Sequence, residues 1–343
     1  MRSPSLLFVS SIAFGVALDT AWVRPASAHV KWFCAYDVAG QPDHLKQVLC
    51  PNFGFLLGVS LVALFAGALL EGTPLGDAML RAFDRATRHV RDNLETIFRA
   101  AVGFFFISIW AVGGILLTPE LKTQSIFMGA IQLGIAASML SRRTMPLGGL
   151  GIFILYGVAT WNYGIFHLAD YPVFLGVGTY LILVGTQSTF FGERPIDMLR
   201  WAAGITLMWA SIEKWAYPEW SYPLLTLHPE MTFGYSPQFY MLAAGMVEFA
   251  LAFALLWTPL VRRVAAVLLA EIFISAVFEF GKIDLIGHSL IVIALFAIIA
   301  DDARSPVGFR RPWVLPLSYS SALVLFLALY YEGHAVLFGT AIL

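Results

Sequence analysis

The chain has 343 residues, 59% of them hydrophobic and 13% charged, against about 25% charged in an ordinary soluble domain. Roughly 200 apolar residues must be kept from water, about the inventory of ten helices of some 20 residues each crossing a hydrocarbon core. A formal net charge of −1, from 21 basic and 22 acidic residues, leaves no positive excess for a phosphate backbone and excludes nucleic acid as a partner. Runs such as Leu290 to Ala300 are apolar on every face, where a membrane β-barrel would alternate. The expected fold is an all-α polytopic membrane protein with the lipid bilayer as its first partner.

In chain order, Arg2 precedes an apolar stretch from Leu6 to Ala17, and Ala26-Ser27-Ala28 places small residues where a signal peptidase reads them. Residues 1–28 are therefore expected to be a secretory signal cut after Ala28, with an uncleaved anchor as the alternative. After cleavage the chain opens on His29, whose α-amine and imidazole together make a bidentate seat for copper. Residues 29–52 read as a periplasmic segment containing Cys34 and Cys50. In an oxidising compartment a disulfide is expected, closing a loop of about 15 residues for a nominal 3 kcal/mol or so. His29 and His44 nearby leave a metal or redox role open, although the spacing fits neither a CxxC nor a zinc pattern.

Apolar windows follow at Phe53 to Leu70, Ala100 to Leu117, Ser125 to Leu140, Leu147 to Phe166 and Pro172 to Phe190, then at Leu199 to Ala216, Gln238 to Trp257, Val264 to Phe280, His288 to Ala300 and Val314 to Tyr331. With a periplasmic amino end, the cytoplasmic loops hold fourteen arginines, from Arg81 through Arg142, Arg143, Arg262 and Arg263 to Arg311. The outer side holds only Lys31, Lys46, Lys122, Lys214 and Lys282. This positive-inside bias places both mature termini in the periplasm of a bacterial inner membrane. Between the first two windows, Phe83, Ala86, Val90, Leu94 and Ile97 recur at helical spacing among arginines, as in an amphipathic helix lying on the cytoplasmic leaflet.

An internal duplication is expected. Phe98-Arg99-Ala100-Ala101-Val102-Gly103 echoes Leu199-Arg200-Trp201-Ala202-Ala203-Gly204, Pro119-Glu120 echoes Pro218-Glu219, Gln132 falls where Glu248 falls, and Ser141-Arg142-Arg143 echoes Val261-Arg262-Arg263. The organisation that follows has a first membrane helix and the amphipathic helix in residues 53–98, and a four-helix unit in 99–191. A second such unit occupies 199–300, and a last membrane helix with a periplasmic tail occupies 314–343.

Six histidines, His29, His44, His167, His228, His288 and His334, fall at or beyond the outer ends of helices, so the chemistry is expected there. Glu248 and Glu271 lie within helices, where a charge is costly unless paired, protonated or wetted. Ser275, Glu279 and Lys282 share one face with Glu271. With Glu213, Lys214, Asp284 and His288 they are expected to ring one pocket, and His228 lies in an aromatic outer loop that either anchors at the interface or covers it. Quinone-linked proton and electron transfer, a His/carboxylate metal site and a purely structural ion-pair network all suit this set. No HExxH, GxSxG, Walker or dinucleotide motif is present.

The segment from Leu199 to Ala300 resembles the DoxX family of four-helix membrane proteins. The resemblance rests on Arg200 through Gly204, Glu213-Lys214-Trp215, Gly245 to Glu248 and the polar ending Gly281 to His288. It implies a membrane subunit passing electrons to a quinone, with Glu248 and Glu271 relaying protons, Lys214 and Lys282 holding a substrate or a quinone oxygen, and His288 donating a proton at the mouth. The alternatives are a periplasm-facing copper or other metal protein using His29 and His44, and a non-catalytic assembly subunit. A periplasmic redox or metal-carrying protein is the expected partner.

Overall fold

The structure, a computed structural model, describes residues 30–303 and 311–342. The expected signal over 1–28, its cleavage site and the proposed copper seat at His29 lie outside the described residues. The described chain is helical, with α1 (Val30–Phe33), α2 (Leu45–Val48), α3 (Pro51–Glu71), α4 (Pro74–Ala86), α5 (Arg88–Asp92), α6 (Leu94–Val112), α7 (Ile126–Ser138) and α8 (Met145–Tyr163) in its first half. There follow α9 (Ile165–Leu168), α10 (Pro172–Thr186), α11 (Pro195–Ala216), α12 (Tyr222–Leu227), α13 (Pro237–Ala254), α14 (Pro259–Phe280), α15 (Lys282–Ala300) and α16 (Val314–Phe338).

Among the described residues, 6 helices are long and apolar enough to cross a membrane: α3, α6, α8 with the turn before it, α13, α15 and α16. The apolar helices α7 and α10 are shorter, at 13 and 15 residues, and the 22-residue helices α11 and α14 each carry four charged side chains. Trp161, Phe278 and Ile126 are 90%, 86% and 84% exposed, a surface that water would penalise and lipid tails accept. The chain is a multi-pass helical membrane protein.

Proline starts most of these helices, in the first turn where its missing N–H removes nothing from the ladder. The polar linker after α3 becomes α4, capped by the Thr73 hydroxyl accepting from Gly76 N–H at 3.1 Å. One hydrophobic core runs through both halves, from Phe98 and Phe105 to Leu290 and Tyr330. The halves meet where α10 packs on α11 and where α6 packs on α15. At the first contact a Cβ on Gly176 would fall 2.3 Å from Ala202 Cβ and 3.0 Å from the Met198 carbonyl. Gly176→Ala is therefore expected to destabilise the fold by about 1–3 kcal/mol, visible as a lower thermal midpoint in detergent; an unchanged midpoint would mean the two helices separate freely.

Charges sort to the two ends of the helices. At one end Arg194 and Arg262 both hold Asp301, at 2.9 and 2.8 Å, while Arg194 and Arg200 each meet Asp197 at 2.9 Å. Arg263, fully buried, reaches Asp84 of α4 at 2.6 Å. This ties the amphipathic helix to the ends of α11, α14 and α15. His167, His228, His288 and His334 lie toward the other end, while His89 of α5 is at this one.

The expected disulfide is corrected. Cys34 and Cys50 are free thiols, because they pack into different clusters: Cys34 against Leu224 and Phe280, Cys50 against the main core at the head of α3. What fixes residues 34–44 instead is hydrogen bonding to the ends of α11 and α16. Asp43 N–H donates to the Ala216 carbonyl at 2.7 Å, and the hydroxyls of Tyr217 and Tyr331 donate to the carbonyls of Gly40 and Asp43 at 2.8 and 2.9 Å.

Candidate functional site

Two polar assemblies adjoin at the histidine end, joined by a shared carboxylate. The first is a cavity of about 220 Å³ between α10, α11, α13, α14 and α15. Its walls are mostly apolar, with Phe174, Leu207, Met241, Phe273 and Phe280 among them, and its ionisable groups include two close pairs. Lys214 Nζ lies 2.9 Å from Glu248 Oε2, with both side chains partly buried. His288 Nδ1 lies 2.9 Å from Asp284 Oδ2, one helical turn apart on α15. Asp284 is 1% exposed and its other oxygen, Oδ1, has no partner. The His288 ring is flanked by Trp32 and Phe273, at centroid distances of 4.8 and 4.7 Å. Gly287 makes room for that tryptophan, since a Cβ there would fall 1.9 Å from the indole.

The second assembly surrounds Lys31, a residue that composition and spacing do not single out. Its ammonium, 4% exposed, donates to Asp170 and, at 2.7 Å, to Glu213, from 139 and 182 residues away. The rings of Tyr36 and Trp220 lie 6.0 and 5.8 Å from Nζ, within reach of a cation–π contact. Asp170 also lines the cavity, and its Oδ1 is buried without a partner.

Beside it, the chain leaving α6 folds back on itself at Gly113 and Gly114, both at positive φ, and residues 115–121 form a buried turn with Leu116 N–H donating to Leu121 O at 2.7 Å. Gln132, expected as the uncharged counterpart of Glu248, holds this turn by donating to the carbonyls of Ile115 and Leu116 at 2.7 and 3.1 Å. The turn delivers Glu120, which accepts from the Tyr171 hydroxyl. Burial pushes the Glu120 carboxyl up to about 7. Close by, His167 is 5% exposed, with Tyr36 and Tyr163 edge-on to its ring. Burial lowers it to about 4, assisted by the charge of Lys31.

Of the residues expected to form one pocket, the structure brings Lys214, Glu248, Asp284 and His288 to the cavity wall. Glu213 turns instead to Lys31. Glu271, Glu279 and Lys282 are exposed and outside the wall, which corrects the expectation that they ring it. The reason is rotational: at about 100° per residue, Phe273, Ala276 and Phe280 lie about 200°, 140° and 180° from Glu271, and these three, with Ile272 at the edge, face the cavity. Glu279 and His228 meet each other, Oε1 to Nδ1 at 2.7 Å, with Glu230 Oε1 at 3.3 Å. These three are the group among the described residues whose donor atoms lie close enough together for a metal ion. His44 heads the short helix α2, its backbone N–H donating to Gln47 Oε1 at 2.9 Å, and belongs to no such group. His334 is fully buried, with its ring nitrogens near Val38 O, Tyr217 Oη and Thr340 Oγ1.

No family model matches the chain, and comparison with curated proteins and with solved structures finds no significant match.

Proposed function

We propose that this is a quinone-linked redox subunit of a bacterial inner membrane, built of two DoxX-like four-helix units with a flanking helix on each side and both mature termini periplasmic. Each of the ten apolar windows falls on a helix, and the loop arginines and outer histidines separate to opposite ends. The duplication is supported by one matched neighbour: a Cβ on Gly103 would lie 3.8 Å from the Ala136 carbonyl of α7 and one on Gly204 3.1 Å from the Ala252 carbonyl of α13. Ala136 and Ala252 correspond in the register that aligns Gln132 with Glu248.

The observation that carries the quinone reading is Asp284 Oδ1, buried and unpartnered on the wall of an apolar cavity beside His288. A quinone ring, which takes up electrons with protons and becomes a donor of hydroxyl hydrogen bonds, fits such a wall. Asp284 would accept from a ligand hydroxyl, and His288, held by Asp284 Oδ2, would exchange the proton. Lys214, oriented by Glu248, would donate to a ligand oxygen. Phe273 and Trp32 exclude water.

Organic extraction of the purified protein is expected to yield quinone, and His288→Ala and Asp284→Asn are each expected to weaken binding of a short-chain quinone about 10- to 100-fold, the worth of a charge-assisted hydrogen bond. Full binding by both variants would sink the reading.

One observation favours a second reading, a periplasm-facing metal protein: the His228, Glu230 and Glu279 donor set. One imidazole and two carboxylates suit zinc or manganese better than copper(I). Elemental analysis of the wild type against His228→Ala decides it, since a metal lost in the variant supports this reading and equal content removes it.

A further inference from the structure

The assembly around Lys31 carries more negative than positive charge in a place that tolerates neither. Glu120, Asp170 and Glu213 are 7%, 4% and 8% exposed, and Lys31, at 4%, is the cation among them. With every group ionised the cluster would hold two uncompensated negative charges away from water, a state that costs several kcal/mol per ion. Among the described residues the next cation is Lys214 in the wall of the cavity that Asp170 also lines, and it is paired with Glu248 at 2.9 Å. Facing the carboxyls are Tyr36 from the segment after α1, Tyr163 from α8, His167 from α9, Tyr171 at the head of α10, Tyr217 at the end of α11 and Tyr330 from α16. The tyrosines are neutral hydroxyls, and His167 is disfavoured as a cation by its own burial.

We infer that this cluster is a proton-binding site, with Glu120, Asp170 and Glu213 holding between them at least one proton at neutral pH while Lys31 stays charged between the last two. Each contact has a place in this arrangement. Lys31 donates to both Asp170 and Glu213, so one positive charge is divided between two buried carboxyls. Glu120 receives its hydrogen bond from a neutral phenol, Tyr171, rather than from a cation. Burial raises Glu120 toward neutrality, and the nearby charge of Asp170 adds to the rise. The stored proton is therefore shared within the cluster, with Glu120 and Glu213 as its seats on either side of Asp170, and the macroscopic titration belongs to the group.

The cluster stands independently of any quinone, yet it is placed to serve the cavity. Asp170 belongs to both, with its unpartnered Oδ1 buried and its residue in the cavity wall. Asp170 and Glu213 flank the same ammonium, so a proton arriving on Asp170 passes to Glu213 when Lys31 gives one N–H proton to Glu213 and takes one from Asp170, its own charge restored. Only O–H and N–H bonds are made and broken, and no redox partner is needed.

Infrared spectroscopy of the protein in lipid vesicles, titrated in light and heavy water, tests this without turnover. A carbonyl stretch of protonated carboxylic acid is expected at neutral pH, shifting in heavy water and disappearing as the pH is raised. Glu120→Gln, whose amide oxygen still accepts from Tyr171, and Glu213→Gln are each expected to shrink it. Tyr171→Phe, which deletes only the donor to Glu120, is expected to move the band in frequency and keeps the test open should the carboxyl variants fail to fold. Absence of the band in the wild type would overturn the site, as would a band of wild-type size in both glutamine variants or of unchanged frequency in Tyr171→Phe. Because no quinone enters the measurement, failure of the quinone reading leaves this result standing, and the reverse holds too.

Discussion

Lys31→Met is expected to cost about 3–5 kcal/mol of stability, the penalty for removing one partner of a buried ion pair and leaving the others charged. The lysine is nearly sealed from solvent and held by two carboxylates. Methionine matches the stem but strands Asp170 and Glu213 side by side. The loss should appear as a lower thermal midpoint and as protease sensitivity in residues 34–44, which cross the ends of α11 and α16. Adding Glu213→Gln to Lys31→Met removes one stranded charge, so the double variant is expected to be more stable than the single one, a non-additivity that local unfolding of α1 alone does not produce. A single variant as stable as the wild type would mean that the ammonium is not confined between the carboxylates.

That network explains why the site was only partly legible in the sequence. Helices are local, and each apolar window coincides with one; the errors fall at ends. The window from Ala100 to Leu117 overran because residues 115–121 are as apolar as the helix before them, although Gly113 and Gly114 at positive φ turn the chain back into the core. The window beginning at His288 started late because Lys282 and Asp284 lower the hydropathy of the first turns of α15. In the site, Lys214, Glu248, Asp284 and His288 were found because a charge within or beside an apolar helix stands out. Lys31 lies in a polar segment where a lysine is unremarkable, and its partners are 139 and 182 residues away. Glu120 was visible only as half of the Pro119-Glu120 echo. In the structure that echo separates functionally, since Glu120 is buried while Glu219 is exposed. Periodicity put Glu271, Ser275, Glu279 and Lys282 in one stripe, but α14 ends at Phe280 and Gly281 at positive φ starts a new helix at Lys282. Glu271, Ser275 and Glu279 alone share an exposed face of α14, and periodicity cannot say which way that helix turns. The volume of Phe273 and Phe280 decided that.

The pH dependence of stability is expected to be the sum of two opposed slopes, and separate variants should expose each. Glu120 titrates near 4.5 when free and is pushed up to about 7 by burial. Between those values the folded protein keeps a proton that the unfolded chain has lost. Its contribution is therefore complete below about 4.5 and is lost as the pH rises through about 7. His167 runs the other way. Burial lowers it from 6.5 to about 4, so between those values the unfolded chain binds a proton that the folded protein refuses. Its contribution is complete above about 6.5 and is lost as the pH falls through about 4. At about 1.4 kcal/mol per pK unit each amounts to about 3–4 kcal/mol. From these two groups the wild-type midpoint is expected to change little between about pH 4.5 and 6.5, where the slopes overlap and cancel. Glu120→Gln leaves the histidine slope, so the midpoint should rise with pH across the interval. His167→Gln leaves the glutamate slope, so the midpoint should fall from about pH 4.5 to 7. Thermal unfolding of the three proteins in one detergent over that range reads both. If both variants follow the wild-type profile, neither group changes its protonation on folding, and the Lys31 cluster would be a fixed ion network instead of a seat for protons.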